Sequence, residues 1–249
     1  MTPLLDKLLT LQERALQLLL QRSPESMANA LLGGKSLADT MVPELRSIFE
    51  QVRVVGSEAT EILVEASPLP TAKFTAELGK RVARRAVKQA QVFVSNSLGQ
   101  LFKGKQPAID VLVREVTRGR MKPKALVSLL QGTKSQAKTL ANTALGGVQR
   151  MAQHEVGHEL SGGHETLFLY AGPEDAKTRG YCSALADKVV SLERLRRTPN
   201  GTGLPPHVHL GGYNCRHSLV PVSPRMVREM GLTLATSSDY DRARMEGRR

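Results

Sequence analysis

Apolar residues recur at helical spacing through the first two thirds of the chain. At the start, Thr2-Pro3 places a helix cap and an N1 proline ahead of an amphipathic stretch. Steps of four and three residues align its apolar positions on one seam, which consists of Leu4, Leu8, Leu11, Ala15 and Leu18. The pattern predicts a first helix whose seam docks on a partner protein.

Glycines and prolines set the predicted ends of the later helices. We expect Pro43 to reset one helix, Gly104 and Pro107 to end another, and Gly132 to end a third. Ser67-Pro68-Leu69-Pro70 reads as a linker, because two prolines exclude helix there. The predicted helices span 24–32, 36–65, 71–102, a short stretch ending at 119, 123–132 and 134–160.

The pattern changes after Gly162-Gly163. Apolar runs at 166–171 and 219–222 predict two short strands, helices are expected near 179–189 and 192–197, and the tail beyond Thr236 reads as loose. The predicted fold class is therefore mainly α, with a long-helix N-terminal region followed by a small α+β C-terminal domain. The predicted segments are 1–66 (helical), 71–133 (basic and helical), 134–225 (the α+β domain) and 226–249 (a polar tail).

Composition fits this reading and narrows the function classes. In 249 residues, hydrophobic side chains make up 41% but aromatic ones only 4%, which implies an aliphatic core of packed helices. No apolar run approaches the roughly 20 residues of a membrane span, and no basic segment precedes an apolar one at the N-terminus. Two cysteines do not make a disulfide scaffold, so we expect assembly in a cytoplasm.

The net charge of +12 comes from the middle of the chain. Residues 71–150 carry 16 basic and 3 acidic groups, whereas the segments on either side are nearly balanced. Such a confined excess indicates a polyanionic partner, either a nucleic acid bound through its phosphates or an acidic protein, unless it is only a solvated face. The candidate nucleic-acid-binding residues are Lys80, Arg81, Arg84, Arg85, Lys88, Lys122 and Lys124.

One motif suggests zinc protease chemistry. His154-Glu155-Val156-Gly157-His158 matches H-E-x-x-H, in which two histidines one turn apart bind zinc and the glutamate activates a water. With His164, the segment resembles the zinc helix of metzincin proteases. That family has a glycine where this chain has Ser161, and a β-sheet upstream where this chain reads as helix. A zinc metalloprotease is therefore an alternative, and the main prediction assigns no catalytic residue.

A second group of metal-ligand residues follows. Cysteine and histidine at this density around a glycine- and proline-rich loop can close a tetrahedral zinc site. A disulfide between the two cysteines, or a pair of free thiols beside surface imidazoles, stays open as well. Zinc is thus a candidate cofactor, and its candidate ligands are Cys182, His207, His209, Cys215 and His217.

Several short motifs between residues 135 and 222 occur together and in order. They are Asp175, Thr178-Arg179, Cys182, Asp187-Lys188-Val189 and Asn214-Cys215-Arg216-His217. This arrangement resembles the C-terminal domain of phage head morphogenesis proteins, the family named after protein F of phage Mu. The chain departs from it in having a single cysteine near residue 182, where many members have two.

The resemblance implies a phage minor head protein, a virion component that acts in head assembly at the portal or head–tail connector. It implies no catalysis by this domain. The expected partners are the portal or other virion proteins and packaged DNA, with several copies per particle and no membrane. A DNA-binding protein that is ejected with the genome is a further alternative.

Overall fold

The structure is a computed structural model that describes residues 2–17, 23–65 and 72–248. Leu18 and the predicted linker 67–70 lie outside these ranges. The helices are α1 (Thr2–Gln17), α2 (Pro24–Leu32), α3 (Leu37–Glu65), α4 (Ala72–Thr117), α5 (Lys124–Ser161), α6 (Gly180–Leu185), α7 (Leu192–Arg196), α8 (Pro206–His209), α9 (Pro224–Glu229) and α10 (Ser237–Glu246). The strands are β1 (Leu167–Ala171), β2 (Val189–Ser191) and β3 (Ser218–Val222). This confirms the predicted fold class.

The long helices α3, α4 and α5 pack on one another and share an aliphatic core with α1 and α2. Leu8, Leu11 and Ala15 on the seam of α1 are buried in this core. The prediction that the seam is a docking face for a partner is therefore wrong, because α1 packs against α3 and α5 of its own chain.

Three predicted helix ends are absent. Helix α3 runs through Pro43, α4 runs through Gly104 and Pro107, and α5 continues past Gly132. A proline inside a helix removes one hydrogen bond, but packing along a long buried face can outweigh that loss. The boundary between the predicted segments 71–133 and 134–225 stays a prediction. Helix α5 runs through that position without interruption.

The three strands form an antiparallel sheet in the order β2-β1-β3. Its register pairs Phe168 with Val190 and with Pro221, so β1 lies in the centre. Both faces are covered, because alternate side chains of β1 enter two separate cores: Phe168 and Tyr170 face α6 and α10, and Leu169 faces α9. Strands β1 and β3 were predicted, whereas the short β2 was not.

The C-terminal tail is not loose. Thr236 and Asp239 form a capping box that begins α10, and Tyr240 and Ala243 of this helix are buried in the core beside α6. The sequence did not predict this helix, because only two of its residues are buried and its polar composition shows no apolar periodicity. No helix in the described ranges has the length and apolar character that a membrane crossing requires.

Candidate functional site

Two cysteines and one histidine meet in the α+β part. Cys182 lies in α6, Cys215 in the loop before β3, and His217 directly ahead of β3. The Sγ atoms of Cys182 and Cys215 are 3.6 Å apart, and Cys215 Sγ is 3.9 Å from His217 Nδ1. All three residues are buried. We call them the Cys-Cys-His cluster. The assignment of both cysteines to one set of motifs predicts that they lie close together, and the 3.6 Å distance confirms this.

Local backbone geometry brings the cluster together. Gly211 passes so close that a Cβ atom there would lie 2.3 Å from Cys182 Sγ. Asn214 takes a left-handed conformation with φ of 53°, and its side chain bonds to Asn142 and Thr139 of α5. The loop before β3 is thus pinned between α5 and α6.

Buried polar groups surround the sulfurs. Tyr170 Oη lies 3.2 Å from Cys182 Sγ and donates a hydrogen bond to it. The hydrogen bond between the two sulfurs raises the pKa of Cys182, and burial raises it as well. The same hydrogen bond lowers the pKa of Cys215, and the hydrogen bond with His217 and the Arg150 cation act in the same direction.

Arg150 of α5 organises the loop that carries Cys215 and His217. Its guanidinium is buried and donates hydrogen bonds to the backbone carbonyls of Val208, Cys215 and His217, at 2.7 to 3.2 Å. A Cβ on Gly146 would lie 3.0 Å from Arg150 Nη1, so that glycine makes room for the guanidinium. The cation faces carbonyl oxygens, which fixes the loop without a carboxylate.

His207 and His209 do not join the cluster. The His207 ring stacks on His154 with ring centroids 5.7 Å apart, and the His209 ring lies 5.1 Å from Phe93 of α4. Within the described ranges, Cys182, Cys215 and His217 form the only group of three or more His, Cys, Asp or Glu residues whose ligand atoms all lie within 4.8 Å of one another. The structure thus brings together three of the five predicted metal ligands.

Two further motif residues, Asp175 and Arg179, contact the loop before β3. Arg216 forms a bidentate ion pair with Asp175, with N–O distances of 2.6 and 2.7 Å, and this pairing holds the pKa of Asp175 below its usual range. Arg179 donates a hydrogen bond to the Tyr213 carbonyl at 2.7 Å. Lys188 pairs with Asp239 of α10 at 2.5 Å. Asp175 and Arg179 therefore tie the chain ahead of α6 to the loop before β3 across 41 and 34 positions of sequence.

The H-E-x-x-H segment lies in the last turns of α5, but its histidines point in different directions. The His154 ring is packed between Phe168 and His207, whereas His158 and His164 are exposed. Glu155 forms ion pairs with Arg81 and Arg85 of α4. The three histidines are not gathered around one point, so this arrangement does not favour the protease alternative.

The basic face of α4 divides into two stripes. Arg81 and Arg85 face α5, where they pair with Glu155 and Glu159. Lys80, Arg84 and Lys88 repeat every four residues along the neighbouring stripe, are exposed and form no ion pair with any described residue. We call these three the outer stripe. Together with Arg81, Arg85 and Glu159, its first two members line a groove of about 760 Å³.

Lys122 and Lys124 belong to a different surface. Both are exposed at the start of α5, beyond the far end of α4. At 1.5 Å per residue, Arg84 lies roughly 50 Å along α4 from Thr117. The seven predicted nucleic-acid-binding residues therefore occupy two separate regions.

Sequence reasoning missed Arg150, Tyr170 and Gly211 as parts of the site. A buried arginine in an otherwise ordinary helix gives no local signal, although the preceding Gly146-Gly147 pair marks a close approach. Tyr170 and Gly211 stood inside the motif segments, but their contacts with Cys182 depend on the fold.

In comparisons with known proteins, no family profile, curated protein sequence or solved structure matches this chain significantly.

Proposed function

We propose that the chain is a bacteriophage minor head protein that acts in head assembly at the portal or head–tail connector. The observation that carries this proposal is the convergence of the motif residues on one site. Asp175 binds Arg216, Cys182 contacts Cys215, and Arg179 holds the turn at Tyr213. Motifs that converge in this way form one structural unit, which supports the resemblance to the head morphogenesis family.

The rest of the molecule suits a structural role. A rigid layer of long helices joins the α+β part through α5, whose buried face belongs to the helical core and whose last turns contact β1 and β3. The outer stripe supplies exposed cations at one end of this layer. Contact with packaged DNA through phosphates is the second part of the proposal, supported by those exposed cations.

The test uses a phage that encodes this chain. Purified virions are analysed by mass spectrometry and by electron cryomicroscopy, with a stop codon in the gene as the matched control. We expect the chain in the particle, with density at the portal vertex that disappears in the stop-codon phage together with a defect in head assembly. Particles that lack the chain and still assemble normal heads would contradict the proposal.

A further inference from the structure

The sulfur–sulfur distance in the Cys-Cys-His cluster fits a shared metal ion better than a bond between the sulfurs. Two zinc–sulfur bonds of about 2.3 Å at a tetrahedral angle hold their sulfurs about 3.8 Å apart. Cys182 Sγ and Cys215 Sγ are 3.6 Å apart. A disulfide would need about 2.05 Å, so the cysteines are placed as two separate ligands.

The imidazole completes the same geometry. A zinc–nitrogen bond of about 2.0 Å places the ligand nitrogen about 3.5 Å from each sulfur. His217 Nδ1 is 3.9 Å from Cys215 Sγ, and the three ligand atoms lie within 4.8 Å of one another. Small shifts of three side chains would bring all of them to bonding distance of one ion.

The hydrogen bonding of His217 is poor for a buried ring. Its side chain is only 2% exposed, its Nδ1 faces a thiol, and its Nε2 has no partner among the described residues. Burying an imidazole with such weak pairing costs free energy. A metal bond at Nδ1 would replace its weak pairing with the Cys215 thiol, with Nε2 left as the N–H of the ring.

We propose that Cys182, Cys215 and His217 bind one zinc ion and supply three of its four ligands. The ion ties α6 to the segment that enters β3, and so stabilises the α+β part where its elements are short. Tyr170 Oη donates a hydrogen bond to the Cys182 sulfur, as the surroundings of zinc-bound thiolates often do. This site holds whether or not the chain is a head protein, since it depends on local geometry alone.

The first experiment measures zinc in the purified full-length chain and records the absorption spectrum after exchange with Co²⁺. We expect about one zinc per chain, and a cobalt spectrum with thiolate charge-transfer bands and the d–d bands of a tetrahedral ion. A pale octahedral cobalt spectrum without charge-transfer bands would overturn the proposal, and so would a failure to bind zinc. This measurement needs no variant and therefore does not depend on the folding of one.

The second experiment compares single variants. Cys182→Ser, Cys215→Ser and His217→Gln should each weaken zinc binding by more than about 100-fold, because loss of groups that merely support a ligand already costs 10- to 100-fold. Tyr170→Phe should weaken it by about 10-fold. His207→Gln and His209→Gln are the matched controls and should retain full zinc content. Zinc that persists after both cysteines are replaced, or that disappears with His207 or His209, would reject this ligand set.

Discussion

Arg150 donates two hydrogen bonds to the backbone carbonyl of His217, from Nε at 3.0 Å and from Nη2 at 2.8 Å. The same guanidinium reaches the carbonyls of Cys215 and Val208. A single buried side chain of α5 therefore fixes the loop that carries two of the proposed zinc ligands. The planar guanidinium fork matters here, because its donors are spread over Nε, Nη1 and Nη2, whereas an ammonium group presents all of its donors from a single nitrogen.

We expect Arg150→Lys to lower the free energy of unfolding by about 2–5 kcal/mol, since it leaves buried carbonyls without donors. Urea denaturation of the full chain measures this change. Arg84→Lys is the matched control: Arg84 is exposed on the outer stripe, and its replacement should change the stability by less than about 0.5 kcal/mol. Equal effects of the two substitutions would contradict the role assigned to Arg150.

The glycines of α5 give a prediction about close packing. A Cβ on Gly157 would lie 2.6 Å from the Phe168 ring, whereas a Cβ on Gly132 would meet nothing within 4 Å. Gly157→Ala should therefore destabilise the chain by about 1–3 kcal/mol through overpacking. Gly132→Ala should stabilise it by up to about 1 kcal/mol, because alanine favours helix. Thermal unfolding of both variants checks the opposite signs; a stabilised Gly157→Ala would show that α5 and β1 are less tightly packed.

The sequence predicted the general architecture because periodicity and motif order are local signals. Apolar runs located β1 and β3, and the order of the motifs predicted that Cys182 and Cys215 lie close together. Helix ends were less predictable: Pro107 and Gly132 stop a helix in isolation, but α4 and α5 gain more from packing on each other than they lose at these residues. Pairings such as Arg150 with the loop carbonyls depend on tertiary structure and leave no sequence pattern.

The division of the basic face is a second example. Helical spacing placed Lys80, Arg81, Arg84, Arg85 and Lys88 together on α4, but the spacing could not show that Glu155 and Glu159 of α5 face two of them. Glu155 is also the glutamate of the H-E-x-x-H match. In the structure both glutamates neutralise neighbouring arginines.

His154 makes stability depend on pH. Burial first of all, together with the nearby His207, Arg196 and Arg150, lowers its pKa from 6.5 to about 3. Below pH 6.5 the unfolded chain binds a proton at this residue that the folded chain does not, so stability is complete above pH 6.5 and is lost as the pH falls toward 3. The loss from this residue at pH 5 is about 2 kcal/mol.

The measurement is urea denaturation at several pH values between 7 and 5. His154→Gln should flatten the dependence of stability on pH, whatever its effect on stability at pH 7. His158→Gln is the matched control, since His158 lies one turn further along α5 and is exposed. An unchanged pH dependence in His154→Gln would mean that other groups, such as His207, whose pKa burial lowers to about 4, carry the effect.

The two stripes of α4 give a prediction about DNA. If DNA is the partner, its phosphates should bind the outer stripe, because Arg81 and Arg85 already face glutamates. Two double variants remove the same charge: Arg84→Gln with Lys88→Gln, and Arg81→Gln with Arg85→Gln. The first should reduce the slope of log affinity against log salt concentration by about 1.8, at about 0.9 for each phosphate that the variant no longer binds. The second should change the slope much less.

Binding of a fluorescent duplex at several salt concentrations measures both slopes. The outer-stripe variant should lose affinity equally for duplexes of different sequence, because groups that bind phosphates do not read the bases. Equal slope changes in the two double variants would mean that the paired arginines Arg81 and Arg85 also bind phosphate. If the unmodified chain does not bind the duplex even at low salt, DNA is rejected as the partner of this surface, which leaves an acidic protein or a solvated basic face.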